Sequence, residues 1–317
     1  MLYIIFMKIL SLVFSFRNEE ENIKELIERV TKAIEKIDSW SYELIFVNDA
    51  SNDKSEEILI ELQNKYPIKI INMTRNFGVG PCVLAGLENS KGDCVIYMDC
   101  DLQDPPELIP DLIKEYEKGN EVVHTVRIKR DGENKIKLMI TKFAYKIINL
   151  LSDINLPIEA GDFKLISRKV IEKILNQKEY NPYIRGMAVW VGYSQSSIKY
   201  KRLARSKGDT HFSLFSKGPI LEFLKGITSY SLKPLYIGLF FGLIGIILSV
   251  ILSFYALYSK LNNLAVSGTS GILISISFFS GSILLTLGII GVYVGKIFEQ
   301  TKGRDRYIIK DIKSNIK

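Results

Sequence analysis

Residues 94–104 read Cys94-Val95-Ile96-Tyr97-Met98-Asp99-Cys100-Asp101-Leu102-Gln103-Asp104. The first five, mostly apolar, predict a buried strand. Two carboxylates, Asp99 and Asp101, follow at once, with Gln103 two positions on. Alternate residues of an extended chain point the same way. Asp99, Asp101 and Gln103 can therefore present oxygens to one point beyond the strand's carboxyl end. Hard divalent cations such as Mg²⁺ or Mn²⁺ take such oxygens and share the metal with substrate phosphates. A solvated acidic turn would have the same composition, so the surrounding chain decides between the two.

Upstream, residues 9–16 read as a first strand. Asn18 and Glu21 have the spacing of a helix cap, and Ile23, Leu26, Ile27, Val30, Ala33, Ile34 and Ile37 recur as one apolar stripe. Residues 42–47 and 68–73 are further strands. Asp53 with Glu56 repeats the cap spacing before a second helix, and Pro81 suits the first turn of a third, which runs to Gly92. Beyond the acidic stretch, Pro105 and Pro106 open a helix over 107–118, a fifth strand spans 121–126, and an amphipathic helix spans 136–151. Four strand–helix alternations predict an α/β fold with a mostly parallel sheet covered on both faces. Ligands of such sheets bind beyond the carboxyl ends of the strands, which singles out residues 15–18, 48–52, 74–80 and 99–104.

The chain has 317 residues, 47% of them hydrophobic, and a formal net charge of +7. An excess of Lys and Arg suits nucleic acid or an anionic membrane surface, and the apolar C-terminal third favours the membrane over nucleic acid. Residues 235–258 carry no charge, enough to cross a bilayer as one helix. Lys260 interrupts, and 261–295 are again uncharged, with a second span near 271–294. Lys201, Arg202, Arg205, Lys207, Lys217, Lys225 and Lys233 precede the first span, and Lys296, Lys302, Arg304, Arg306 and Lys310 follow the second. Both ends should face the cytoplasm. Leu214, Phe215, Ile220, Leu221, Phe223, Leu224 and Ile227, interleaved with Lys217 and Lys225, suit a helix lying in the interface.

The expected organisation is a catalytic domain over 1–212, an amphipathic region over 213–233, a two-helix membrane domain over 234–296 and a basic cytoplasmic tail over 297–317. Residues 1–16 lack the early charge and cleavage site of a signal peptide, and Met7 is an alternative start. Cys82, Cys94 and Cys100 form no metal-type pair and no disulfide framework. Glycines 238, 242, 245, 291 and 295 allow close helix packing and leave a homo-oligomer open.

Six stretches then resemble the glycosyltransferase family 2 enzymes, specifically the branch that loads a sugar onto polyprenyl phosphate. They are Phe16-Arg17-Asn18-Glu19-Glu20, Phe46-Val47-Asn48-Asp49-Ala50-Ser51, Thr74-Arg75-Asn76-Phe77-Gly78, Met98-Asp99-Cys100-Asp101-Leu102-Gln103-Asp104-Pro105-Pro106, Ala160-Gly161-Asp162-Phe163 and Arg202-x-x-Arg205-x-x-Gly208. The resemblance implies a nucleotide-sugar-binding domain of the GT-A, Rossmann-like type, followed by interfacial helices and two transmembrane helices. It implies an inverting hexosyl transfer, UDP-glucose favoured as donor and undecaprenyl phosphate as acceptor, at the cytoplasmic face of the inner membrane. GDP-mannose is the alternative donor.

By the same resemblance, Phe16, Asn18, Glu19, Asp49, Ser51, Arg75, Asn76 and Asp99 are candidate substrate contacts. Asp49 and the Phe16–Glu19 loop would hold the base and ribose. Asp99, Asp101 and Gln103 would bind Mg²⁺ or Mn²⁺. The family usually has Asp-Asp-Gly-Ser where this chain has Asn48-Asp49-Ala50-Ser51, so Asn48 loses a charge and Ala50 loses the freedom of glycine at positive φ. Asp162, Asp101 and Arg205 are the candidate catalytic residues. A phosphate acceptor is already anionic, so Asp162, placed in a Gly-Asp-Phe turn, is expected to orient sugar and acceptor rather than remove a proton. Arg202, Arg205 and Lys207 could grip the lipid phosphate or the leaving diphosphate, with Arg127 and Arg130 weaker candidates of that kind. His124 and His211 read as structural, and His211 could close over the site.

Three rival readings fare worse. A processive polysaccharide synthase calls for Gln-x-x-Arg-Trp, and Trp40 and Trp190 lie in no such context. A dinucleotide-binding oxidoreductase calls for Gly-x-Gly-x-x-Gly after the first strand, where Asn18 and three glutamates stand. A membrane adaptor with a degenerate nucleotide fold predicts loss of the acidic loop, which is intact.

Overall fold

Short runs of Ile, Val, Leu and Phe alternate with amphipathic segments, and the chain folds accordingly. The computed structural model describes residues 7–130, 135–202, 217–262 and 268–316. Strands β1 (Lys8–Phe16), β2 (Trp40–Asn48), β3 (Ile68–Met73), β4 (Cys94–Asp99), β5 (Val122–Arg130), β6 (Ala160–Ser167), β7 (Gln195–Arg202) and β8 (Ile309–Ser314) form one sheet, ordered β7-β5-β6-β4-β1-β2-β3-β8. The pairs β1–β2, β1–β4, β2–β3 and β5–β7 are parallel. The pairs β4–β6, β5–β6 and β3–β8 are antiparallel.

Helices cover both faces. On one, α1 (Ile23–Ile34), α2 (Ser55–Leu62) and α4 (Ile109–Glu117) bury a core around Leu12, Phe14, Phe46, Ile96 and Phe163. On the other, α3 (Val79–Glu88), α6 (Arg168–Leu175) and α7 (Ile184–Trp190) pack on Val13, Ile45, Val95, Tyr97 and Ile166. The stripe predicted for α1 is its buried face, Ile23, Leu26, Ile27, Val30, Ala33 and Ile34.

Several sequence expectations shift. Asn18 does not cap α1. Its φ is +57° and its Oδ1 accepts from the Asn52 backbone N–H at 2.9 Å, so it ties the loop after β1 to the loop after β2. Asp53 accepts from Ser55 N and Oγ and from Glu20 N, at 2.8–3.1 Å, in place of a bond with a helix three residues on. Asp162 lies not in a turn but in strand β6. The Gly-Asp pair suggested a turn, yet the strand's two faces alternate between Phe163 and Leu165 on one side and Asp162, Lys164 and Ile166 on the other. The side with Asp162 and Lys164 is polar because it faces the site. The chain after the second span is not a free tail: it supplies β8 on the open edge of β3.

Helix α5 (Lys135–Leu151) packs against α8 (Lys217–Thr228) through Ile148, Ile227 and Phe223, while Leu221 and Leu224 stay exposed. The interfacial helix read from sequence thus splits its apolar residues between the catalytic domain and the outside. Helices α9 (Lys233–Leu261) and α10 (Thr269–Thr301) are long and apolar enough to cross a membrane. Gly238 lies against Thr286 and Gly245 against Phe279, whereas Gly242, Gly291 and Gly295 have open space around them. Lys233 Nζ donates to Ser152 O at 3.0 Å, Tyr293 Oη to Ser231 O at 2.7 Å, and Arg306 Nη1 to Gln177 O at 2.9 Å. The first and last of these bonds tie the start of α9 and the chain just after α10 to the sheet domain, and the Tyr293 bond ties α10 to the segment that leads into α9.

Helix α3 approaches the sheet closely at Gly86, where a Cβ would come within 2.2 Å of Val13 Cγ1. Gly86→Ala should lower stability by about 1–3 kcal/mol despite the better helix propensity of alanine. Thermal unfolding of the detergent-purified protein measures this.

Candidate active site

The register of the parallel strands sets the site. Ser15 pairs with both Val47 and Asp99, and Asn48 with Asn72. The carboxyl ends of β1, β2, β3 and β4 are therefore nearly level, and the four loops singled out in the sequence meet along one edge. Tyr97 pairs with Lys164 in the antiparallel β4–β6 ladder. That register, carried two residues on, brings Asp162 level with Asp99.

Two of the loops are stapled together. Asn18 N donates to Ser51 Oγ and Glu19 N to Ser55 Oγ, both at 3.0 Å, and Ser51 N donates to Asn48 Oδ1 at 2.8 Å. Asp49 accepts from the backbone N–H of Phe77 at 2.6 Å and of Gly78 at 3.0 Å, so its carboxylate organises the third loop. Gly78, at φ +90°, opens helix α3 there. Asn48 Nδ2 donates to Asn72 Oδ1 at 3.0 Å. Ala50 has φ +57°, so it occupies the left-handed conformation for which glycine is the relaxed residue. Phe16 is buried and packs edge-on to Phe46; its side chain belongs to the core, not to the cleft. Arg75 and Asn76 are exposed, and Arg75 stacks on Phe77 at 4.0 Å.

The acidic loop departs from the row of alternating oxygens expected of it. β4 stops at Asp99 and Leu102 takes φ +58°. The chain turns, and the Gln103 backbone N–H donates to Asp101 Oδ1 at 3.1 Å. Gln103 therefore does not extend the Asp99–Asp101 alternation. Among the described residues no three His, Cys, Asp or Glu side chains gather as a metal cluster. The pair Asp99 and Asp101 still fits a cation of the Mg²⁺ or Mn²⁺ type, which takes one or two carboxylates and fills its remaining positions with phosphate oxygens and water. Asp99 is pushed up to about 7 by burial and by repulsion from Asp162, Asp101 and Asp104. Such a concentration of like charge is what a cation relieves.

Asp162 sits in the opposite state. Burial alone would raise it, but Arg185 Nε donates to Oδ1 at 2.8 Å and Nη2 to Oδ2, and this bidentate pair holds the carboxyl well below the usual range. Tyr145 Oη accepts from Arg185 Nη1 at 3.2 Å. Behind Arg185 lies a cavity of about 10 Å³, lined by His124, Tyr145, Lys164 and Tyr183. Burial lowers Lys164 to about 8 and, with the charge of Lys164, lowers His124 to about 4. His124 is therefore neutral and bonded to Gln195 at 2.9 Å, in keeping with a structural role.

Sequence reasoning missed Arg185, Tyr145 and Asp104. Arg185 had no motif around it. Asp104 was quoted only as part of the loop, yet its side chain is fully buried and pairs with Arg127 Nη2 at 3.1 Å and Arg202 Nε at 3.5 Å. Arg205, Lys207 and His211 lie outside the described residues, as does the first part of the predicted interfacial segment.

The glycosyl transferase family 2 profile matches residues 11–175. The chain belongs to that family. It is a glycosyltransferase, as the acidic loop implies. Over 302 residues it is 38% identical to "Uncharacterized glycosyltransferase YkcC" of Bacillus subtilis (strain 168), covering 95% of this chain and 93% of that one. Over 309 residues it is 35% identical to "Prophage bactoprenol glucosyl transferase homolog" of Escherichia coli (strain K12), covering 96% and 99%. Among solved structures it resembles glucosyl-3-phosphoglycerate synthase from Mycobacterium tuberculosis in complex with Mn²⁺, UDP and phosphoglyceric acid. That likeness has a TM-score of 0.45 at 17% identity, over 64% of this chain and 72% of the other.

Arg185→Met should cost about 2–4 kcal/mol at neutral pH by leaving Asp162 charged and unpaired, and Asp162→Asn in the same chain should restore most of the loss. A depressed carboxyl stabilises above its unfolded pKa and loses that contribution as pH falls through the folded one. The unfolded chains titrate alike, so the difference between wild type and Arg185→Met follows the two folded states. It should be largest at neutral and alkaline pH and shrink as pH falls through the raised pKa that burial gives Asp162 once Arg185 is gone, as chemical denaturation across pH will show.

Proposed function

We propose that the chain transfers a hexose, UDP-glucose favoured as donor, to undecaprenyl phosphate with inversion at the cytoplasmic face of the membrane. The observation that carries this reading is the meeting of two carboxylates at one sheet edge: Asp99, at the end of β4 beside Asp101, and Asp162, brought level with it by the β4–β6 register and clamped by Arg185. Near full-length likeness to a bactoprenol glucosyl transferase homologue and two apolar helices directly beside the catalytic domain support the acceptor.

Asp99 and Asp101 would hold a divalent cation, which when bound offsets the charge that develops on the departing diphosphate. The loops of Asn18, Glu19, Ser51, Asp49, Arg75 and Asn76 would form the nucleotide's seat. Glu19 and Asn18 supply side chains there, while Asp49 acts by shaping the Phe77–Gly78 turn. A carboxylate clamped by a guanidinium is a weak base, because accepting a proton would break the pair. Asp162 therefore orients the sugar and the acceptor phosphate, which needs no deprotonation. Arg202, Arg205 and Lys207 are proposed to bind phosphate between the cleft and the membrane, with Arg205 stabilising the transferring group. The boundaries 1–212, 213–233 and 234–296, with both termini cytoplasmic, complete the proposal, and the residues after 296 return to the catalytic sheet.

Radiolabelled UDP-glucose or GDP-mannose, short-chain polyprenyl phosphate and Mn²⁺ should give a lipid-linked sugar in detergent. No lipid product with any common nucleotide sugar would refute the assignment, and product from GDP-mannose alone would correct the donor. EDTA should abolish transfer and Mn²⁺ restore it. Mn²⁺ with UDP should raise the melting temperature of the wild type but not of Asp99→Asn, and an equal rise in both would remove the metal role of Asp99.

A further inference from the structure

Asp104 is the most completely buried carboxylate of the acidic loop, with no side-chain exposure, and it faces three donors. Tyr200 Oη donates to Oδ1, Arg127 Nη2 to Oδ2 at 3.1 Å, and Arg202 Nε lies 3.5 Å from Oδ1. Arg127 Nε in turn donates to Tyr200 Oη at 3.0 Å. One carboxylate thus stands between two guanidiniums, leaving one positive charge in surplus at the end of the loop that carries Asp99 and Asp101.

The placement of Arg127 is close-fitting. Its Nη2 would lie 2.7 Å, and its Cζ 3.0 Å, from a Cβ built at Gly161. Only glycine at position 161 leaves room for the guanidinium beside Asp162. There its charge reaches both Asp99 and Asp162, lowering each. Arg202 closes β7 and begins the basic stretch that runs toward α8. Its buried Nε is the atom that faces Asp104, 3.5 Å from Oδ1 and without a hydrogen bond among the described residues, so the guanidinium is held there by charge. A guanidinium oriented by one carboxylate through Nε suits an incoming anion with several oxygens at its other nitrogens.

We propose that Asp104 is a positioning residue that holds Arg127 against Gly161 and Arg202 at the head of the basic segment, so that the pair meets a substrate phosphate without rearranging. This rests on the transfer reaction proposed above. The phosphate has two sources, the lipid acceptor and the leaving diphosphate of the donor, and the kinetic constants distinguish them. Preorganised charge contributes because it needs no reorientation during the reaction.

The test is a double-mutant cycle between Asp104→Asn and Arg127→Gln, with KM for each substrate, kcat and UDP inhibition measured separately. Asp104→Asn keeps the shape and removes the charge. It should lower kcat/KM by about tenfold or more, and Arg127→Gln should abolish most of that sensitivity, because residues acting as a unit are not additive. A rise confined to the acceptor KM assigns the pair to the lipid phosphate. A rise in donor KM with weaker UDP inhibition assigns it to the diphosphate. Gly161→Ala, which pushes the guanidinium without touching Asp104, and Tyr200→Phe, which removes the hydroxyl bonded to both Asp104 and Arg127, should show the same split to a smaller degree, and they serve if Asp104→Asn does not fold. Additive effects, or equal loss of both substrates tracking a lower melting temperature, would overturn the inference. If the wild type transfers no sugar, the proposed reaction fails instead. The same cycle is then read by calorimetry with UDP and with short-chain polyprenyl phosphate, where additivity, or no binding of either, overturns the role of Asp104 as well.

Discussion

Like charges confined at the edge of a sheet repel, and the catalytic half of this chain is organised around managing that repulsion. Asp99, Asp101, Asp104 and Asp162 converge from β4, its following loop and β6. Each has a different resolution. Asp162 is neutralised by Arg185, and Asp104 by Arg127, Arg202 and Tyr200. Asp101 receives one backbone donor. Asp99 is left with the excess, so its proton affinity is high and a cation is its natural partner. Counter-charges assigned to two of the four leave the other two free for chemistry.

The scaffold makes this arrangement possible by switching direction. Parallel strands β1, β2, β3 and β4 deliver loops to one edge, and antiparallel β6 begins at the same edge, placing Asp162, its third residue, there. Gly161 then admits Arg127 beside Asp162. The loops after β1 and β2 are fixed to each other by reciprocal bonds of Asn18, Ser51 and Asn52, so the nucleotide's expected seat is one unit rather than two flexible turns.

Much of this was legible in the residues. The period-3.6 stripe of α1, the apolar runs of β1 to β4 and the two charge-free spans each announce themselves, because burial on one or both faces leaves a periodic trace. Ala50 stands where the family usually has glycine, and at φ +57° it keeps the backbone conformation that glycine would have adopted with ease. Asp162 was found, but its strand was not: Gly161 and Asp162 have turn composition, and only the neighbouring β4 and β5 supply the partners that extend them. Arg185 left no local trace, since its partner lies 23 residues away and nothing near it in sequence marks a contact. Asp104 lay in plain view, yet its burial depends on β5 and β7. The charge-rich sequence after the second apolar helix has the look of a solvated tail, and its isoleucines at 309 and 312, three apart among charged residues, give no period-two alternation from which pairing could be predicted.

That last pairing carries a consequence for how the protein is made. β3 is buried along its whole length, and without β8 its outer edge would present unpaired backbone groups to any passing strand. Residues 309–314 leave the ribosome only after both apolar helices have been synthesised. Until then the growing sheet has an open seam, so completion of the catalytic fold waits on the stretch of chain that follows the two apolar helices.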